Sequence, residues 1–138
     1  IQSGWNLVGL PLEVNNSSYQ ILFSNAIEGT LYSFDIGYNL EEILNPGTGY
    51  WLRFLSSTTL EISGNVILEM TIPLSQGWNL ISGISHPFDI TNIDDPNNII
   101  VQGTLYSFEN GYTEAYQLIP GESYWVRAAQ SGIIIINE

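Results

Sequence analysis

The chain has 138 residues, 44% of them hydrophobic and only 12% charged, with fourteen acids against two arginines and a formal net charge of −12. A chain with so few cations cannot neutralise phosphates, which excludes nucleic acids and anionic membrane surfaces as partners. It also has no cysteine and no apolar run of the roughly eighteen residues that a membrane-spanning helix needs, which excludes disulfides, thiolate metal sites and membrane insertion.

Alternating side chains and turn residues predict short strands through the first half of the chain. Residues 6–11 and 30–34 have strand character, and a hairpin turn follows at 35–38. A Pro-Gly turn at 46–49 leads into a strand at 50–55, and two further strands are predicted at 58–62 and 66–72. The one predicted helix runs from residue 17 or 18 to residue 26, because serine precedes apolar side chains at helical spacing.

The second half repeats this plan. Trp5 and Trp78 are 73 residues apart, and Trp51 and Trp125 are 74 apart. The copies diverge most at residues 91–98, where a proline predicts a turn or a single helical turn in place of the helix. We therefore predict a mainly β fold in which a first repeat, 1–72, and a second repeat, 73–138, pack as one compact sandwich or barrel-like domain with at most one short helix.

The repeated motifs resemble a known type of module. Gly-Trp-Asn, then Tyr-Ser-Phe, a Gly-Tyr turn and Pro-Gly-x-Gly-Tyr-Trp resembles a β-rich repeat found in tandem in large secreted and surface proteins of bacteria and archaea. The first copy has Gly49-Tyr50-Trp51, whereas the second begins this motif with Ser123. The resemblance implies an accessory module without catalytic residues. Together with a start at Ile1 rather than methionine and the lack of lysine, it predicts a secreted, extracellular or cell-surface location and a mature product or excised module.

The aromatic residues have two interpretations. The four tryptophans recur at matching motif positions beside glycine and aliphatic residues, which favours a packing role. The alternative is a platform on which sugar rings stack. Tyr19, Tyr112 and Tyr116 lie in or beside the variable loops, and we predict them as the ligand-contacting residues.

The two arginines occupy matching positions. Arg53 and Arg127 each follow a tryptophan by two residues and so share its face of a strand. An acid, Asp35 or Glu109, follows each Tyr-Ser-Phe. This pattern predicts one ion-pair or cation–π clamp in each repeat, and capture of a ligand carboxylate is the alternative.

Calcium is the one candidate cofactor. Hard oxygen ligands crowd into the divergent loop, although the loop lacks the spacing and glycine of an EF-hand, and a loop without metal is the alternative. The candidate ligands are Asn92, Asp94, Asp95 and Asn97. The lone His86 is predicted to be an ordinary loop residue, and the adjacent acid pairs at 41–42 and 94–95 to be solvated turns, so no enzyme is expected.

These patterns predict a non-enzymatic extracellular structural or adhesive module, including the case of a subunit of a surface fibre or layer. The alternative is a carbohydrate-binding module of a secreted enzyme. The expected partners are other protein chains or domains, self-assembly included, and glycans. The C-terminal residues 133–136 are four isoleucines, apolar on both faces, so either their own domain or a neighbouring subunit must cover them.

Overall fold

A computed structural model describes all 138 residues, and its fourteen antiparallel strands confirm the mainly β prediction. No helix has the length and apolarity needed to cross a bilayer. The only α-helix is α1 (Tyr19–Leu22), and a 3₁₀ turn covers Ile90–Asn92. The strands are β1 (Gly4–Val8), β2 (Leu12–Glu13), β3 (Tyr32–Phe34), β4 (Tyr38–Leu40), β5 (Tyr50–Phe54), β6 (Asn65–Val66), β7 (Glu69–Leu74), β8 (Gly77–Ser82), β9 (Phe88–Asp89), β10 (Tyr106–Phe108), β11 (Tyr112–Glu114), β12 (Gln117–Leu118), β13 (Ser123–Ala128) and β14 (Gly132–Asn137).

Each repeat builds one four-stranded sheet, and the two sheets have the same plan. The first has the order β1-β5-β3-β4, and the second has the order β8-β13-β10-β11. In the first sheet β1 pairs with β5 from Gly4 opposite Phe54 to Val8 opposite Tyr50. The β8–β13 pair repeats this register in the second sheet. Three two-stranded ladders, β2–β6, β9–β12 and β7–β14, complete the fold.

Reciprocal hydrogen bonds join the two repeats. The amide of Gly9 donates to the carbonyl of Gly121, and the equivalent amide of Ser82 donates to the carbonyl of Gly47, both at 3.0 Å. The Pro-Gly turn of each repeat is thus hydrogen-bonded to the C-terminal end of the edge strand, β1 or β8, of the other repeat. Reciprocity of this kind places a pseudo-two-fold axis between the repeats.

Residues next to that axis meet their own equivalents. A Cβ atom at Gly9 would lie 2.3 Å from the Cβ of Ser82, and one at Gly49 would lie 2.8 Å from the Cβ of Ser123. Because Cβ atoms do not approach below 3.0 Å, only one member of each pair can carry a side chain. The replacement of glycine by Ser123 in the second copy is therefore accommodated by glycine at position 49.

Each repeat has its own apolar core, with nine buried residues in the first and fourteen in the second. Ile67, Ile72 and Leu74 belong to the second core. The predicted boundary between residues 72 and 73 is therefore too late. It cuts β7, a strand that pairs along its whole length with β14 of the second repeat.

The predicted helix is much shorter than its pattern suggested. Only four residues are helical, Ser18 makes no side-chain capping bond, and Phe23 leaves the helix with φ −127° and ψ 82°. Such a short segment has no stability of its own, so packing of the buried Tyr19 and Phe23 decides where it ends. In the second copy a single 3₁₀ turn replaces it, as predicted, and Asp89 caps that turn by accepting from the amide of Thr91 at 2.8 Å.

The C-terminal strand is covered by its own domain. β14 pairs with β7 on one edge, and on the other edge Ile135 exchanges two main-chain hydrogen bonds with Asp94, at 2.9 and 2.8 Å. Ile134 and Ile136 are fully buried. Of the two alternatives for this segment, the structure has the internal strand. Residues 58–62, by contrast, were predicted as a strand and have no regular structure.

Candidate functional site: twin aromatic grooves

The outer faces of the two four-stranded sheets are aromatic, because successive side chains of a strand point to opposite faces. In β5, Tyr50, Leu52 and Phe54 are buried, whereas Trp51 and Arg53 point outwards. β13 has the same alternation. The outward aromatic residues are Trp5, Tyr32, Phe34, Tyr38 and Trp51 in the first sheet, and Trp78, Tyr106, Phe108, Tyr112 and Trp125 in the second.

These rings form two rows, and each row crosses from one repeat into the other. Row one has successive ring centroids 6.3, 6.3, 4.9 and 5.2 Å apart, and row two has them 6.3, 6.4, 4.9 and 5.3 Å apart. All contacts are tilted or edge-to-face, the geometry that aromatic quadrupoles favour. Row one runs Tyr32, Trp5, Trp51, Phe108, Tyr112, and row two runs Tyr106, Trp78, Trp125, Phe34, Tyr38.

The rows line two open grooves of about 390 Å³ each. Each groove takes four rings from one row and one tyrosine from the other. Both repeats contribute to both grooves, because each groove includes one phenylalanine of the opposite repeat. Groove 1 is lined by Trp5, Tyr32, Tyr38, Trp51 and Phe108. Groove 2 is lined by Phe34, Trp78, Tyr106, Tyr112 and Trp125.

The groove aromatics are accessible to solvent. Trp5 and Trp78 are 42% and 43% exposed, and Tyr38 and Tyr112 are each 57% exposed. The prediction that the repeated tryptophans are packing residues is therefore wrong for Trp5 and Trp78. Their rings lie on the outside of edge strands, next to neighbouring aromatic side chains.

The Gly-Trp-Asn motif holds each exposed tryptophan in place. Gly4 has φ +87°, a conformation that L-amino acids with side chains rarely adopt, and it turns the chain directly before the tryptophan. The side-chain amide of Asn6 then donates to the carbonyls of Gln2 and Gly4 at 2.8 and 3.1 Å. Asn79 makes the same pair of bonds around Gly77 in the second repeat. The motif thus fixes the main chain on both sides of the ring.

The predicted ion pairs of Arg53 with Asp35 and of Arg127 with Glu109 are not formed. The only ion pair of the chain joins His86 Nε2 to Glu138 Oε2 at 3.7 Å, and both arginines are exposed. β3 and β5 are antiparallel with Tyr32 opposite Trp51, so the chain moves away from Arg53 as it proceeds to Asp35. The same register separates Arg127 from Glu109 in the second repeat, because Tyr106 lies opposite Trp125.

The arginines lie beside the grooves. Arg53 is the direct cross-strand partner of Trp5, and Arg127 is that of Trp78. Directly opposed residues in antiparallel strands share a face. The only two basic residues of the chain are therefore placed at equivalent positions, one next to each exposed tryptophan.

The three predicted ligand-contacting tyrosines have different positions. Tyr112 lines groove 2. Tyr19 is only 2% exposed, and its hydroxyl accepts from the amide of Gly29 at 2.9 Å, so it is a core residue and the prediction for it is wrong. Tyr116 is 66% exposed but lines neither groove.

The proposed calcium loop is organised by main-chain hydrogen bonds. Both carboxylate oxygens of Asp95 accept amides, from Ile99 and from Ile100, each at 2.9 Å. The structure gathers no group of three or more acidic or histidine side chains, there or elsewhere. Calcium binding by this loop therefore stays a prediction. The candidate ligands in the sequence are Asn92, Asp94, Asp95 and Asn97.

Three titratable side chains have shifted pKa values. Burial raises the pKa of the Tyr50 and Tyr124 hydroxyls, and hydrogen bonds from Thr91 lower the pKa of Asp89. None of these residues lines a groove.

Comparison with protein-family models, curated proteins and solved structures gives no match to this chain. The grooves are therefore the feature of the molecule that indicates a function.

Of the ten groove residues, only Tyr112 was predicted to contact a ligand, because the four tryptophans were predicted as packing residues and the other five were not singled out. The sequence nevertheless carried a signal that some of these side chains point outwards. Trp51 and Arg53 alternate with buried residues, and Tyr32 and Phe34 are likewise two positions apart. A face that includes arginine is an outward face, so its aromatic neighbours had to be outward too. Nothing in the sequence indicated that Phe34 and Phe108 would each line the groove of the opposite repeat.

Proposed function

We propose that this chain is a non-catalytic extracellular adhesive module that binds neutral glycans in its two aromatic grooves. The observation that carries the proposal is the duplicated, solvent-open set of five aromatic rings, each with an exposed tryptophan at its edge. Soluble proteins seldom leave such contiguous apolar surface uncovered unless it binds something.

The chemistry of the grooves suits sugar rings. The C–H groups of a pyranose form an apolar face that stacks on an aromatic face, and tyrosine adds a hydroxyl that can donate to sugar oxygens. Arg53 lies beside Trp5 and supplies further donors at the rim of groove 1, as Arg127 does for groove 2. A neutral ligand is favoured because the net charge of −12 repels anionic polymers.

The linings also support a binding role over a catalytic one. All ten lining residues are tryptophan, tyrosine or phenylalanine, so neither groove offers a carboxylate or an imidazole to a bound substrate. General acid–base chemistry on a glycosidic bond needs a pair of carboxyl groups flanking it.

Two grooves in one rigid chain suit a polymeric or surface-bound ligand. Once a ligand chain occupies one groove, its neighbouring sugar units are held close to the second groove. The second groove then binds them at a high effective concentration. The pseudo-two-fold relation means that the two grooves present the same rings in opposite directions. Adhesion to an array of glycan chains follows from such an arrangement more readily than capture of one small sugar.

The test measures binding of cellohexaose, xylohexaose and chitohexaose by calorimetry and tryptophan fluorescence. At least one is expected to bind, with two sites per chain, and Trp5→Ala with Trp78→Ala should weaken binding about tenfold or more, as loss of a buried aromatic anchor does. Tyr116→Ala is the control, because Tyr116 is an exposed aromatic residue that lies outside both grooves.

Two results would contradict the proposal. Binding that survives the double tryptophan substitution would place the glycan site elsewhere. Binding of a proline-rich peptide, with no binding of any of the three oligosaccharides or of insoluble polysaccharides, would assign the grooves to polyproline recognition, which also uses aromatic-lined surfaces.

A further inference from the structure

Residues 58–63 of the first repeat are the structural equivalents of β14 in the second. The equivalence is visible in hydrogen bonds just before each segment. The amide of Ser3 donates to Ser57 Oγ at 3.3 Å, and at the matching positions the amide of Gln76 donates to Ser131 Oγ at 3.2 Å. Positions 58–63 therefore correspond to 132–137, the six residues of β14.

The two segments differ in whether a neighbouring strand covers them. β14 pairs with β7, and Ile134 and Ile136 are fully buried. Their equivalents Leu60 and Ile62 are only partly buried, although they also point to the core side. Neither Leu60 nor Ile62 makes a main-chain hydrogen bond. Residues 58–63 thus have the alternation of a strand without a paired partner.

One rung of the corresponding ladder is present. The amide of Thr58 donates to the carbonyl of Ile1 at 3.2 Å, in the position where Gly132 lies opposite Leu74 in the second repeat. Ile1 is 38% exposed, whereas its equivalent Leu74 is 4% exposed. Beyond this rung lies an open cavity of about 360 Å³. Its apolar lining includes Ile1, Phe23, Leu60 and Ile62.

We propose that residues 58–63 are the acceptor site for one further β-strand. This strand is an extended polypeptide segment that runs antiparallel to residues 58–63 and leads into Ile1. It carries aliphatic side chains at alternate positions. In the second repeat β7 has this chemistry: Met70, Ile72 and Leu74 point inwards, and the chain continues through two residues into β8. Strand addition at an unpaired edge supplies main-chain bonds, and the inward side chains supply burial. The site uses none of the groove residues and is independent of glycan binding.

The experiment joins Glu-Met-Thr-Ile-Pro, the sequence of residues 69–73, directly in front of Ile1. The extended chain should melt about 5 °C or more above the original chain, and amide exchange at Leu60 and Ile62 should slow by at least about tenfold. The control extension, Glu-Asn-Thr-Asn-Pro, keeps the length and charge but removes the two inward aliphatic side chains. It should leave both measurements close to those of the original chain.

Two outcomes would overturn the proposal. Equal melting temperatures and equal exchange for both extensions would show that the edge accepts no strand. A concentration-dependent dimer of the original chain, with Leu60 and Ile62 protected only in the dimer, would assign the edge to a second copy of this chain instead.

Discussion

The pseudo-two-fold axis makes Gly49→Ala the most informative single substitution. The added methyl carbon would lie 2.8 Å from Ser123 Cβ, 3.0 Å from the main-chain nitrogen of Ile81 and 3.0 Å from the carbonyl carbon of Leu80. Two of these three atoms belong to the main chain of β8 and cannot rotate away. The repeats must separate locally, which weakens the hydrogen bond from Gly49 N to Leu80 O, now 3.1 Å long.

Overpacking of this kind costs about 1–3 kcal/mol of unfolding free energy. For a chain of this size each kcal/mol lowers the melting temperature by roughly 4 °C. Thermal and denaturant unfolding followed by circular dichroism will measure the loss. Gly37→Ala is the matched control, since a Cβ at Gly37 meets nothing within 4 Å and its φ is ordinary.

A second substitution separates the contacts at the axis. Adding Ser123→Gly to Gly49→Ala removes the closest of the three atoms and should recover part of the lost stability, whereas the two main-chain contacts remain. If Gly49→Ala melts at the same temperature as Gly37→Ala, the close approach of the repeats at this axis is refuted.

Two further predictions concern the arginines and the buried tyrosines. Arg53→Ala should change the unfolding free energy by less than about 0.5 kcal/mol, because Arg53 is exposed and has no ion-pair partner. Urea unfolding measures this change, and a loss well above about 0.5 kcal/mol would show that Arg53 does act as a structural clamp. Burial raises the pKa of Tyr124 above its ordinary value of 10.0. As the pH rises, the hydroxyl therefore ionises in the unfolded chain before it does so in the folded protein. The contribution of the protonated hydroxyl to stability is complete below pH 10 and is lost as the pH rises further. Unfolding curves above pH 10 should therefore show falling stability, with a shallower fall in Tyr124→Phe. Equal slopes for the two proteins would contradict this assignment.

The mainly β fold and the internal repeat were predictable because they depend on local patterns. Turn residues and alternating apolar positions repeat along the chain, and strand formation follows them closely. The predicted helix and the strand at 58–62 failed for one shared reason. Neither segment is stable alone, and the neighbours that would extend the helix or pair with the strand are not encoded within the segment itself.

The candidate site was predictable only in part. Tyr112, predicted to contact a ligand, lines groove 2, whereas Tyr19, predicted on the same grounds, is buried in the core of the first repeat. The predicted arginine–acid ion pairs are absent because sequence spacing does not reveal strand register. Asp35 directly follows β3 in the sequence, and β3 pairs with β5 in the antiparallel direction. Asp35 therefore lies near the Tyr50 end of β5, away from Arg53.

By itself the sequence determined the strands, the turns and the fact that two similar units occur in one chain, because these depend on residues close together along the chain. Only the tertiary structure decided how the aromatic rows cross between the repeats and which edge has no partner. Those outcomes depend on the packing of one repeat against the other around a two-fold axis. Residues such as Trp51 and Phe108, 4.9 Å apart, are brought together only by that packing.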